Sequence, residues 1–248
     1  YGFRDFRGGG RSSARETAAR VAAGSIARKM LQDLANTEFL AWVSDVGNIS
    51  SNISLDEVTQ EAIEESPVRC PDKTASAKME KEIADAKMNK DSVGGIVTLL
   101  IKNVPACLGE PAFDRTEALL AQAMLSIPAT KGFEIGSGFS AAKMRGSEHN
   151  DIPVYQNGKF STKTNFAGGT LGGITNGENI LCRIAFKPTA TIAKEQPTVN
   201  KLGESGVLAA RGRHDPCVAV RAPVIVESMA ALVLADLYLR NRARQNLF

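Results

Sequence analysis

Gly8-Gly9-Gly10-Arg11-Ser12-Ser13-Ala14-Arg15-Glu16-Thr17-Ala18-Ala19-Arg20 decides how the chain is read, because a glycine-rich turn runs here directly into the start of a helix. Three consecutive glycines cost chain entropy unless the backbone bends sharply or approaches another group closely. Ser13 and Glu16 have capping-box spacing, and Ala18, Ala22, Ile26, Met30 and Leu34 recur every fourth residue as the expected buried ridge of a helix over 14–34. Residues 1–29 carry seven bases against two acids, a local surplus in a chain whose formal net charge is only +3. Unpaired N–H groups at a helix start, the Ser12 and Ser13 hydroxyls and the Arg11 and Arg15 guanidinium groups form a candidate anion site, with phosphate as its natural guest. The competing reading is an ordinary capped helix with surface arginines.

Outward from this helix, periodicity predicts a strand over 38–46, a short acidic helix opened by Ser54 with Glu57, and a helix over 75–88. The ten acids and six bases between Asp56 and Asp91 read as a solvated face. The turn residues Asn89 to Ser92 and the pair Gly94-Gly95 lead into the apolar run Ile96 to Ile101, the pattern of a buried strand. Asp114 is placed to cap a helix through Met124, and Gly132 to Phe139 has the look of a bent strand. The Gly/Asn/Ser/Thr-rich segment 146–177 is expected either to be disordered or to close over a ligand. A strand over 180–186 and a closing helix over 222–244 complete the chain, which reads as mixed α and β.

At 248 residues and 43% hydrophobic side chains, the chain can bury one large core or two small ones. No composition break or internal repeat divides it, so 1–248 is expected to be a single domain. The mixed charge excludes a wholesale nucleic-acid binder. The longest apolar stretch, Ala222 to Leu239, contains Glu227 and Asp236 and is therefore expected to be a core helix and not a membrane span. Cys70, Cys107, Cys182 and Cys217 form no C-x-x-C pair, which supports neither a zinc knuckle nor a disulfide framework and favours a reducing compartment. The chain begins at Tyr1, from which an upstream segment is expected to be missing.

Two further constellations are candidates for chemistry. Lys187-Pro188-Thr189-Ala190-Thr191 ends a strand with a lysine, two hydroxyls and a stiffened backbone, suited to a phosphate, a ring carbonyl or simply a turn. Both histidines sit beside carboxylates, in Gly146-Ser147-Glu148-His149-Asn150-Asp151 and Gly212-Arg213-His214-Asp215-Pro216-Cys217. Neither has metal-ligand spacing, so no metal is expected, and acid/base or anion-orienting roles fit better than zinc. No nucleophile elbow, Walker A lysine or dinucleotide fingerprint is present.

Seven motifs in order carry a family resemblance: those over 8–20, 146–151, 187–191 and 212–217 just quoted, together with Lys90-Asp91-Ser92-Val93-Gly94-Gly95, Lys131 to Phe139 and Gly172 to Glu178. Together they closely resemble the chorismate synthases. The resemblance implies an α+β fold of the β-α-β sandwich type, with helices between two antiparallel sheets, assembled as a homotetramer. It implies a lyase that eliminates phosphate and a C6 proton from 5-enolpyruvylshikimate 3-phosphate to give chorismate, the last common step of aromatic amino acid biosynthesis. Reduced FMN is required there without net redox change, lending an electron as phosphate leaves and recovering it afterwards. Carried over residue by residue, Arg11, Ser12 and Ser13, the Pro128-Ala129 backbone, Gly172 and the turn Lys187, Pro188, Thr189, Ala190 and Thr191 resemble flavin contacts. Arg15 resembles a substrate ligand, Arg213 a contact shared by flavin and substrate, and Asp215 the carboxylate that assists proton transfer. His214 is a second catalytic candidate beside it and His149 a further neighbour. The family's histidine-bearing upstream segments are not in this sequence, so the chain is expected to be N-terminally truncated and a single domain. Cytoplasmic location, or a plastid one behind a transit peptide, is expected, with no membrane or nucleic-acid partner. The alternative is a catalytically inactive flavin- or anion-binding chain with a regulatory or assembly role.

Overall fold

The computed structural model describes residues 2, 3, 5, 8–10, 13–156, 158–210, 212 and 214–245. The glycine-rich start leads through a short 3₁₀ turn, Ala14–Glu16, into α1, Thr17–Ala35. The ladder begins with β1, Glu38–Val46, and the short β2, Ile49–Ser50. Two helices follow, the acidic α2 at Gln60–Glu65 and α3, of mixed charge, at Lys73–Met88, then β3 at Gly95–Lys102, α4 at Thr116–Leu125 and β4 at Thr130–Ile135. The segment expected to be one loop holds a single helical turn, α5 at Gly146–His149, and two hairpins. These are β5, Pro153–Gln156, with β6, Lys159–Thr162, and β7, Thr170–Leu171, with β8, Ile174–Thr175. The chain then runs through β9, Ile180–Phe186, a hairpin of β10, Gln196–Val199, and β11, Ser205–Leu208, and closes with α6, Pro223–Gln245.

The central sheet is antiparallel with strand order β2-β1-β3-β9-β4. Period-2 alternation sends Phe39, Ala41 and Val43, Val97, Leu99 and Ile101, and Ile180, Cys182 and Ile184 to one face, where α1, α4 and α6 cover them. Leu40, Trp42 and Leu100 point the other way and meet Val58 and Ile63 from the α2 region. Helices and antiparallel sheets together form the mixed α+β class that the resemblance implied. Among the described residues the helical layer covers the five-stranded sheet, and the remaining three sheets are two-stranded.

The face that α1 buries differs from the expected one. Thr17, Gly24, Ala27 and Leu31 are buried, while Ile26 and Leu34 are exposed. Both faces of this alanine-rich helix are apolar, so four-residue spacing does not distinguish them; helix proximity does. A Cβ at Gly24 would lie 2.3 Å from Ser228 Cβ and 2.6 Å from its Cα, so only glycine lets α1 and α6 approach this closely. One turn along, Arg28 reaches across to Glu227 at 2.5 Å. The other carboxylate oxygen of Glu227 accepts the Ala41 N–H at 2.9 Å on the outer edge of β1. The Arg69 carbonyl accepts the neighbouring Val43 N–H at 2.9 Å, so this edge has its donors satisfied by a helix side chain and a loop.

Capping also departs locally from the sequence reading. Ser13 caps the 3₁₀ turn, accepting the Arg15 N–H, while Glu16 pairs with Arg20 at 2.8 Å and does not close a box. Thr59, not Ser54, caps α2, and Asp72 caps α3 through the Thr74 and Ala75 N–H groups. Asp114 turns to Arg240 of α6 at 2.7 Å and leaves the α4 start to Arg115.

Two outcomes test this packing. Gly24→Ala is expected to cost about 2 kcal/mol or more by overpacking the α1–α6 crossing, read from the urea midpoint; an unchanged midpoint means the helices separate freely. Burial pushes the Glu227 carboxyl up from 4.5 to about 7, against the opposing pull of Arg28 and the Ala41 N–H. A carboxyl with its folded value raised binds its proton more tightly when folded, so this contribution to stability is present below pH 4.5 and lost as pH rises through about 7. Glu227→Gln is expected to flatten that part of the stability–pH curve, measured by chemical unfolding across the window; an unaltered slope refutes the assignment.

Candidate active site

A cavity of about 390 Å³ opens where the start of α1, the turn after α4 and the turn before α6 meet. Its apolar floor is made by Ile127, Pro128, Ala129, Phe186, Val218, Ala222 and Ile225. Its polar rim is Ser13, Arg15, Thr17, Asp215 and Arg221. Each wall has a local cause. Arg20 of α1 donates to the Ser126 hydroxyl at 2.6 Å and to its carbonyl at 3.3 Å, which ties the α1 start to the last turn of α4. The chain then turns tightly before β4, with Ala129 in the left-handed region at φ +71° and the Thr130 hydroxyl donating back to the Ile127 carbonyl at 2.7 Å. The Ala129 carbonyl accepts the Lys187 N–H at 2.9 Å, which brings the end of β9 to the same turn. A short 3₁₀ turn, Val218–Arg221, supplies the last wall and places Arg221 3.0 Å from the Asp215 carboxylate.

A second cavity of about 220 Å³ lies beside the first, and Asp215 lines both. Lys87, Lys90, Thr191 and His214 face this second space. Among the described residues His214 Nε2 is buried without a hydrogen-bond partner. The segment Lys187 to Thr191 runs between the two spaces, from Phe186 in the first to Thr191 in the second, and its Thr189 hydroxyl donates to the Asp215 carbonyl at 3.1 Å. Burial pushes the thiol of neighbouring Cys217 up, so it remains protonated and unsuited to act as a nucleophile. A larger cavity, about 450 Å³, opens instead at the outer edge of β1 between Arg28, Glu38, Gln60 and Lys102, and holds none of the site residues read from the sequence.

The structure therefore gathers Ser13, Arg15, Pro128, Ala129 and Asp215 on one cavity and sets His214 and Thr191 on its neighbour. Arg11, Ser12 and Arg213 lie outside the described residues. Gly172 stands apart: it turns the β7–β8 hairpin, whose Gly173 carbonyl accepts the Thr116 N–H at the opposite end of α4 from Ala129, roughly 15 Å of helix away. His149 is also elsewhere, with Nε2 2.9 Å from the Ser137 hydroxyl and its ring against Phe166. Arg221, Thr17, Phe186 and the Val218–Ile225 wall were not singled out in the sequence as site residues. Arg221 carried a signal, since it lies only six residues from Asp215, but spacing could not show that a 3₁₀ turn folds it back.

Chemically, the floor suits a flat apolar ring, and the rim offers cations and a helix start to an anion. The Asp215 carboxylate, ion-paired and partly exposed, is placed to hold or pass on a proton at the junction of the two cavities.

A family model described as chorismate synthase matches residues 1–239. A relative named chorismate synthase from Gloeothece citriformis (strain PCC 7424) is 54% identical over 98% of this chain and 68% of its own length. Another of that name, from Synechocystis sp. (strain ATCC 27184 / PCC 6803 / Kazusa), is 53% identical over the same shares. A crystal structure of a chorismate synthase superposes with a TM-score of 0.78 at 33% identity, covering 93% of this chain and 65% of that one. The chain thus spans about two thirds of the length of the relatives it matches.

Proposed function

The chain belongs to the chorismate synthase family, and from that membership we propose that it carries the elimination of phosphate from 5-enolpyruvylshikimate 3-phosphate, with the two adjoining cavities as its site. The observation that carries the reading is the convergence of Ser13, Arg15, Pro128, Ala129 and Asp215, distant in sequence, on one cavity. In this reaction the C–O bond to phosphate breaks, a C6 proton departs, and chorismate forms. The family uses reduced FMN, which when bound supplies electron density to the breaking bond without net oxidation.

The residues fit such a group. The apolar floor between Pro128-Ala129 and Ile225 matches a flat heteroaromatic ring in size and polarity, and the anionic tail of a flavin needs what the α1 start offers. Ser13 and Ala129 would hold it, with the Lys187 to Thr191 turn closing one side. Arg15 binds and orients the phosphorylated substrate and stabilises negative charge growing on the leaving phosphate. The floor keeps water from the reacting atoms. Asp215, oriented by Arg221 and by Thr189 through its carbonyl, holds the proton that leaves. His214, on the second cavity, assists that transfer.

A homotetramer and a reducing cytoplasmic or plastid compartment belong to the same proposal. Among the described residues no helix is long and apolar enough to cross a membrane. The β10–β11 hairpin supports assembly: its residues are exposed throughout, including Val199, Val207 and Leu208, and a hairpin with two open faces is marginal alone.

Asp215→Ala is expected to lower kcat by about a hundredfold or more while FMN affinity, read by flavin fluorescence, stays close to that of the parent protein. Turnover equal to the parent removes Asp215 from the proton step. Arg15→Ala is expected to raise KM for the phosphorylated substrate by about tenfold or more; an unchanged KM places the substrate elsewhere.

A further inference from the structure

In the motif Lys90-Asp91-Ser92-Val93-Gly94-Gly95, Lys90 and Asp91 line the second cavity, but Ser92 to Gly95 line neither and lie under two segments that do. The Ser92 hydroxyl donates to the Thr189 carbonyl at 2.7 Å. The Val93 N–H donates to the Pro216 carbonyl at 2.8 Å, directly after Asp215. Asp91 accepts the Ser92 N–H at 2.9 Å with one carboxylate oxygen and Lys194 Nζ at 3.0 Å with the other. The Lys194 N–H in turn donates to the Lys90 carbonyl at 3.1 Å. Gly94 lets the turn sit this close, since a Cβ there would lie 2.7 Å from the Phe186 carbonyl oxygen and 3.1 Å from Pro188 Cδ.

These bonds tie the turn to residues 186–194 on one side and 215–216 on the other, and the Thr189 hydroxyl closes the circuit to the Asp215 carbonyl at 3.1 Å. Neither of the tied segments is a regular strand or helix between Lys187 and Thr191 or between His214 and Cys217, so the sheet ladder does not fix their separation. We propose that the turn Lys90–Val93 is a positioning strap, in which Ser92 and Asp91 hold the Lys187–Thr191 segment and Asp215 at a fixed distance from one another. The inference rests on the reaction proposed above, because it concerns how that site is held. Ser92 is a positioning residue, which reaches the cavities only through Thr189; Asp91 lines the second cavity and steadies the turn through the Ser92 N–H and Lys194. The strap works by restricting where the Asp215 carboxylate can stand, a matter of geometry in which small displacements are costly to rate.

The test has a readout that needs neither flavin nor substrate. In the flavin-free protein, Ser92→Ala is expected to speed amide hydrogen exchange at Val93 and Lys194 about tenfold, as loss of one hydrogen bond of ordinary strength allows. Exchange in β1 and β3 should stay unchanged. In the flavin-loaded protein, kcat is expected to fall about tenfold with KM for 5-enolpyruvylshikimate 3-phosphate within about twofold. Ser92→Thr, which keeps the hydroxyl, should restore both readouts. If Ser92→Ala does not fold, Asp91→Asn, at a partly exposed ion pair on the rim of the second cavity, carries the same test with a smaller loss, since it keeps an acceptor for the Ser92 N–H. Unchanged exchange at Val93 and Lys194, or an unchanged kcat in a parent that turns over, overturns the strap alone. Faster exchange spread through β1 and β3 also overturns it, because Ser92 would then be a general stabilising residue. A parent protein that neither binds FMN nor turns over overturns the proposed reaction, and the strap's catalytic role with it.

Discussion

The contact between α1 and α6 at Gly24 and Ser228 sets the position of almost everything else. With no Cβ between them, the two helices come close enough for Arg28 to reach Glu227, and Glu227 in turn satisfies a backbone donor on the edge of β1. A buried carboxylate without both partners is expensive, so the helix pair and the sheet edge stand or fall together. Ser228 itself donates to the Val224 carbonyl at 2.7 Å within α6, which keeps its hydroxyl satisfied in the crossing.

From this crossing the site follows by geometry. Fixing α1 against α6 directs the α1 start towards the turn before α6, and the Arg20 bonds to Ser126 draw in the end of α4. The cavity is the space left where those three ends cannot fill the volume between them. Its floor is apolar because it continues the core, through Ile127, Phe186 and Ala222, out to the surface. Its rim is charged because chain ends and turns meet solvent there. A pocket built this way has rigid walls and a few polar groups at the mouth, the arrangement that orients a ring while leaving charged atoms to be handled at one side.

Asp215 lies where two such spaces meet, and its setting is almost entirely backbone-built. Arg221 holds its carboxylate, while its carbonyl and that of Pro216 are held by Thr189 and Val93. A carboxylate on a loop is placed no better than the loop is placed. The density of bonds around residues 90–95, 187–194 and 214–217 therefore gives this irregular region the definition that a strand or helix would otherwise provide.

By itself the sequence determined the periodic elements and the chemistry of the motifs. β1 and β9 fall where alternation and apolar runs put them, over 38–46 and 180–186, because strand burial is written in neighbouring residues. The family was legible from seven motifs, and five residues that the resemblance named, Ser13, Arg15, Pro128, Ala129 and Asp215, line one cavity. Tertiary structure alone decided which face of α1 is buried, since apolar residues lie on both sides, Ile26 and Leu34 outward and Ala27 and Leu31 inward, and only the approach of Ser228 selects Gly24, Ala27 and Leu31. It alone turned the polar segment after Gly146 into hairpins, recruited Arg221, and set Gly172 and His149 away from the cavity. Those outcomes depend on contacts between residues far apart in the chain, and local spacing holds no record of distance across a fold.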